Sequence, residues 1–156
     1  MLKYVIIFIG LSAFYFIHIS AQDDKPNLPL TAKCLGCICE AISGCNTTRL
    51  CSGDVCGPFR LTWAYWADGG KPTVAQQSND DPTAYANCAN DPYCAAAAVQ
   101  KYMYKFYQDC NGDKVVDCHD FAAIHKLGGY GCAAPLPDFY VQRFQQCKVF
   151  VGGSFA

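Results

Sequence analysis

Twelve cysteines in 156 residues restrict this chain more than any other feature. They are Cys34, Cys37, Cys39, Cys45, Cys51, Cys56, Cys88, Cys94, Cys110, Cys118, Cys132 and Cys147. The count is even, and all of them follow an apolar N-terminal segment, so six disulfides in an oxidising compartment is the expected reading. Six of the twelve crowd into Cys34 to Gly57. The spacing leaves their connectivity open. Cys34 and Cys37 form a CxxC, the half-signature of a zinc ribbon, but no second CxxC completes a four-ligand set.

The N-terminus supports that compartment. Lys3 gives a positive start, Tyr4 to Ile17 is a nearly unbroken apolar run, and Ser20-Ala21 precede the polar Gln22-Asp23-Asp24. Residues 1–21 read as a secretory signal peptide cleaved after Ala21. The competing reading is a membrane anchor, but the run is shorter than the ~20 residues a spanning helix needs. A secreted, extracellular protein without a membrane partner after cleavage is expected. Residues 22–32 read as an extended leader, 33–148 as one domain and 149–156 as a frayed tail. The formal net charge is −1, with no basic stripe, which excludes nucleic acid as an expected partner.

Helical periodicity dominates the rest. Cys34, Cys37, Ile38 and Ala41 fall on one face of a helix from Lys33 to Ser43, stopped by Gly44. Phe59 to Trp66 alternates like a short strand and runs into an aromatic turn of helix, before the break at Gly69-Gly70-Lys71-Pro72. Asp81-Pro82 and Asp91-Pro92 each place an N-cap acid before a proline. The second opens the longest helix, Pro92 to Gln108, with Cys94, Ala98, Tyr102 and Phe106 on one core stripe. Further helices are expected over Cys118 to Leu127 and Pro137 to Cys147. The fold class is therefore α+β, mostly α, and disulfide-rich.

The register of cysteines and aromatics carries a resemblance. CLxCIC-x5-C, C-G-x-F, AYW-x-D-x-GKP, AYANC-x5-C and FA-x-IH-x-x-GG-x-GC together resemble the invertebrate-type lysozyme and destabilase family, from Cys34 to Cys147. The resemblance implies a lysozyme-like fold, secretion, and action on bacterial peptidoglycan between its aminosugars. Glycoside hydrolysis needs two carboxyl groups, one of them a proton donor. The family's donor is the Glu of C-x-C-x-x-E-S-G, and this chain reads Cys39-Glu40-Ala41-Ile42-Ser43-Gly44, so Ile42 stands at the acid position. Glu40 is two residues away, about 200° around a helix, which points it nearly opposite. The family's second carboxylate matches Asp54 when the segment is anchored on Cys51, and Leu50 when it is anchored on Cys56, because the loop is shorter here. Asp68, in the AYW-x-D-x-GKP segment, is a further candidate acid. The serine and lysine of the destabilase isopeptidase pattern correspond to Gly53 or Val55 and to Thr62, while its histidine is retained as His125. Many relatives carry cysteines where Gly69 and Ala98 stand, so one bridge of the family is expected to be missing.

Other residues complete the candidate list. Trp63, Tyr65 and Trp66 are candidates for sugar stacking, with core packing as the competing job. Asn46-Thr47-Thr48 is a glycosylation sequon. Asp109, Asn111, Asp113, Asp117 and Asp120 fall at the oxygen-ligand positions of an EF-hand loop, although Lys114 occupies its glycine position and Cys110 and Cys118 could bridge it. Calcium or a plain acidic turn both fit; no other cofactor is expected. Three functional readings stand: a peptidoglycan-binding lysozyme-fold protein that has lost muramidase activity, an active glycosidase using Asp54 with a recruited acid, or a protease-resistant secreted protein with no glycan ligand. Defence and digestion are both compatible with the family.

Overall fold

The computed structural model describes residues 28, 30–48 and 50–152. The expected signal peptide, most of the leader, and residues 153–156 lie outside the described residues. The elements are α1 (Ala32–Ser43), β1 (Val55–Cys56), β2 (Leu61–Thr62), α2 (Trp63–Asp68), α3 (Ala84–Asn90), α4 (Pro92–Lys105), α5 (Cys118–Leu127) and α6 (Asp138–Val151). The fold is mostly helical, with one antiparallel hairpin pairing Val55 with Thr62 and Cys56 with Leu61.

Helix α1 sits between α5 and α6 and packs most extensively on α6. Thr31 caps it by accepting a bond from the Cys34 amide at 3.2 Å, and Gly44 ends it in the left-handed conformation, φ +70°. The stripe Cys34, Cys37, Ile38 and Ala41 is fully buried. Two cysteines of that stripe tie the helix to its neighbours: Cys34 bonds Cys118 at the start of α5, and Cys37 bonds Cys147 in α6. Four shorter links, Cys39–Cys45, Cys51–Cys56, Cys88–Cys94 and Cys110–Cys132, close local loops. No described cysteine is free. Helix α4 carries the core of the other half: Cys94, Ala98, Val99, Tyr102, Met103 and Phe106 are buried as its periodicity requires.

Several boundaries differ from expectation. Helix α4 stops at Lys105 rather than Gln108, because Phe106 leaves the helical region to bury its ring and the Gln108 amide donates to the Gly129 carbonyl. At Asp81 the carboxylate caps the Thr83 amide at 2.7 Å in a turn, and α3 starts only at Ala84. Helix α6 runs on to Val151, through residues expected to fray, and Lys33 donates to the Gly152 carbonyl just beyond its end at 2.8 Å. Cys110 and Cys118 do not bridge their loop; each pairs elsewhere.

Gly69 and Ala98 approach closely: a Cβ on Gly69 would sit 2.6 Å from the Ala98 carbonyl oxygen. No helix among the described residues is long and apolar enough to cross a membrane.

One glycine holds the hairpin against α3. Gly57 has φ +72°, and a Cβ there would lie 1.6 Å from the Ala89 carbonyl oxygen. Both the conformation and the clash oppose any side chain. Gly57→Ala is expected to lower stability by about 2–4 kcal/mol in urea unfolding with disulfides intact; an unchanged midpoint would contradict this packing.

Candidate functional site: an apolar-walled cleft between the hairpin, α2 and α5

A cleft of about 420 Å³ opens between the end of α1, the hairpin, α2, α4 and α5. Its lining includes Ile42, Val55, Arg60, Thr62, Ala64, Tyr65, Asp68, Tyr102, His125, Lys126 and Gly128. Ile42 reaches it because the C-terminal turn of α1 is fixed from two sides: Cys39 bonds Cys45, and Ser43 Oγ donates to the Pro58 carbonyl at 2.5 Å. Ile42 therefore presents a branched alkyl group to the cleft. Val55 adds a second apolar side chain from β1.

The candidate acids separate in space. Glu40 lies outside the cleft, in a groove between α1 and α6, where its Oε1 is 3.6 Å from Arg143 Nη2. Asp54 is exposed on the hairpin and is not among the cleft-lining residues; its carbonyl accepts a bond from the Tyr85 hydroxyl at 2.8 Å. Asp68 does line the cleft and is the one carboxylate among its lining residues. Its Oδ1 is 2.6 Å from Lys105 Nζ. A carboxylate engaged with an ammonium accepts hydrogen bonds and has no proton to give.

The cleft floor is a neutral relay. His125 Nε2 lies 3.0 Å from the Phe59 carbonyl, and Nδ1 lies 3.0 Å from the Tyr65 hydroxyl. A carbonyl only accepts, so Nε2 carries the proton and Nδ1 receives the bond from Tyr65. Burial, offset in part by the Phe59 hydrogen bond and reinforced by the nearby Lys126 charge, pushes the imidazole down to a pKa of about 4. Burial likewise raises the Tyr65 phenol well above its usual range. Tyr65 stacks on Tyr102 with ring centroids 3.7 Å apart. Both His125 nitrogens are committed to hydrogen bonds within the fold. Thr62 Oγ1, at the family's lysine position, accepts from the Tyr65 amide at 3.2 Å as the cap of α2.

The aromatic candidates divide. Trp66 is 1% exposed and donates from Nε1 to the Pro72 carbonyl at 2.7 Å, so it is core and not a sugar platform. Trp63 is 55% exposed, with Lys71 Nζ 5.5 Å from its ring centre, but it lies outside the cleft lining. Tyr65 is the one of the three that forms cleft wall. Sequence reasoning missed Tyr102, whose spacing on α4 marked it as core, and the cations Arg60 and Lys126. Only the assembled fold places these beside Ile42.

The acidic turn is held together by its own side-chain-to-backbone bonds. Asp109 accepts from the Gly112 and Lys114 amides, Asn111 from that of Asp113, Asp113 from that of Val115, and Asp117 from that of His119. Asp120 is 1% exposed and spends both oxygens on the Cys110 and Asp117 amides, at 2.8 Å each. Side-chain-to-backbone bonds of this kind stabilise a turn. Among the described residues no group of three or more His, Cys, Asp or Glu side chains is placed to hold a metal ion. Asn46 is exposed, and its Oδ1 accepts from the Thr48 amide and hydroxyl at 2.9 and 2.8 Å.

The relay sets a pH dependence. The folded pKa of His125 is about 4 against 6.5 for the free group. Between those values the unfolded chain binds a proton that the folded chain refuses. The stability contribution is complete above pH ~6.5, shrinks as pH falls, and reaches a loss of about 3 kcal/mol near pH 4. NMR of the ring nitrogens is expected to show a neutral Nε2–H imidazole at pH 5.5. An imidazole titrating near 6.5 in the folded protein would contradict the relay.

Comparison with known proteins agrees with the geometry. The Destabilase family model matches residues 31–147. The chain is 36% identical over 126 residues to a lysozyme of Magallana gigas, covering 77% of this chain and 83% of that one. It is 34% identical to invertebrate-type lysozyme 3 of Caenorhabditis elegans, covering 65% and 75%. Among solved structures, the Meretrix lusoria lysozyme in complex with Aeromonas hydrophila PliI superposes with a TM-score of 0.60 at 30% identity, over 76% of this chain and 90% of that one. The Tapes japonica lysozyme gives 0.55 at 26% identity, over 76% and 89%. With the cysteine framework, the helical fold and these matches in agreement, the chain belongs to the invertebrate-type lysozyme and destabilase family.

Proposed function

We propose that this protein is a secreted lysozyme-fold glycan-binding protein that engages bacterial peptidoglycan without muramidase turnover. One observation carries the proposal: Ile42, which the sequence resemblance aligns with the family's proton donor, lines the cleft. Breaking the glycosidic bond requires protonation of the leaving oxygen, and an alkyl side chain cannot supply it. The other lining residues do not compensate. Asp68 is ion-paired, His125 is neutral with both nitrogens engaged, and Tyr65 holds its proton against His125. The cleft itself remains open, with polar groups at its rim and the Tyr65–Tyr102 stack in its wall, the kind of surface on which a sugar ring packs.

Secretion is supported by the N-terminal pattern of residues 1–21, with cleavage after Ala21, and by six disulfides. A role in defence against bacteria or in their digestion follows from the family. The enzyme reading has one specific observation in its favour: Asp68 lies in the cleft, where a shift of Lys105 would release it.

Co-sedimentation of the mature protein with insoluble, purified peptidoglycan tests the binding claim. Retention that soluble muropeptides compete away is expected, and Trp63→Ala, just outside the cleft, is expected to weaken it by no more than about tenfold. A folded protein left wholly in the supernatant would sink the proposal and favour a protein with no glycan ligand.

A further inference from the structure

Helix α1 carries a glycine that the fold does not explain. Gly36 lies in the interior of the helix, where glycine is less favourable than alanine because it has more backbone freedom to lose. It is exposed, and its backbone is not in the left-handed region. A Cβ built on it would meet nothing within 4 Å. Neither conformation nor packing within the chain therefore asks for a missing side chain at this position. What the missing side chain leaves is a notch in the outer surface of α1.

The notch opens into a groove of about 600 Å³ between α1 and α6, whose lining includes Gly36, Glu40, Arg143, Phe150 and Val151. The two helices run antiparallel. Lys33 donates to the Gly152 carbonyl at one end, Glu40 faces Arg143 toward the other, and the Cys37–Cys147 disulfide joins them between. On the last turn of α6, Phe150 is 89% exposed and Val149 beside it is 83% exposed. A bare phenyl ring at the edge of an open groove is apolar surface that the fold leaves uncovered. The charges in the groove are loosely held. Glu40 Oε1 and Arg143 Nη2 stand 3.6 Å apart, both side chains are about half exposed, and neither makes a hydrogen bond among the described residues.

We infer that this groove is the interface with a second copy of the chain, joined by a two-fold axis, with Phe150 of each copy seated in the Gly36 notch of the other. Three observations select this occupant. The ring and the notch lie on one surface, as an isologous contact requires, because each copy must offer both halves of every contact. The charges are self-complementary in the same sense: Glu40 and Arg143 stand side by side, so each can pair with its opposite across the axis. Removal of water there strengthens an ion pair that is worth little on an open surface. Finally, an aromatic ring buried in a preformed notch is the kind of anchor that carries most of an interface's binding energy. No residue of the groove lines the cleft, so association in this way does not draw on the cleft.

Sedimentation velocity of the mature protein, from about 1 µM to about 200 µM, is expected to show monomer passing to dimer as concentration rises. Gly36→Gln fills the notch with a better helix former, and Phe150→Ser removes the ring. Each is expected to weaken dimerisation about tenfold or more. At a concentration where only monomer is present, Gly36→Gln is also expected to keep or raise the melting temperature, which a glycine required inside the fold would not allow. Glu40→Arg and Arg143→Glu are each expected to weaken the dimer, and the two together to restore it. Circular dichroism checks that each variant is folded. A wild-type protein that stays monomeric throughout the range overturns the inference, as does a dimer that survives unweakened in both Gly36→Gln and Phe150→Ser. A wild-type monomer that dimerises only once residues 153–156 are removed overturns it too, because the chain's own tail is then the occupant of the groove.

Discussion

The tethering of α1 by its own buried face is the constraint on which the other features depend. Cys34 and Cys37 lie one turn apart and reach in different directions, to Cys118 on α5 and Cys147 on α6, across sequence separations of 84 and 110 residues. In the chain-entropy account each link of that length removes about 4.5–5 kcal/mol of freedom from the unfolded chain, against about 2.5 for a link such as Cys39–Cys45. The two long links therefore fix which helices surround α1. The short one, with Ser43 bound to the Pro58 carbonyl, fixes how its last turn meets the hairpin. Residue 42 reaches the cleft as a consequence of that scaffold, whatever its side chain.

What the cleft can do follows from its protonation states. Glycosidase chemistry places a protonated acid against an ionised partner, two carboxyl groups driven apart in pKa by their surroundings. This cleft holds a neutral imidazole, a protonated phenol and one ion-paired carboxylate. Burial depresses the His125 imidazole to about 4.

Much of this was legible in the sequence, and the division has physical causes. The α1 stripe, the Asp91-Pro92 start of α4 and the Gly128 stop of α5 all depend on local spacing, and local spacing decided them. Trp66 was not assignable: Trp63, Tyr65 and Trp66 sit on one short helix, and only its packing against α3 and α4 decides which ring faces inward. The acidic turn repeats its oxygens at EF-hand intervals, and only the fold shows that Asp120 turns inward to cap α5 and to receive the Cys110 amide. Arg60 and Lys126 are 66 residues apart and carry no motif. Their meeting in one cleft is a property of the hairpin and α5 docked together. For the same reason Asp68 stood among the low-value acids in the sequence and emerges as the one that lines the cleft.

The central claim, an intact cleft without a proton donor, is tested most directly by the release of new reducing ends from purified peptidoglycan by the folded mature protein between pH 4 and pH 8. The account expects none at any pH. Release that disappears in Asp68→Asn would show that a carboxylate has been recruited to replace the missing acid, and would contradict it.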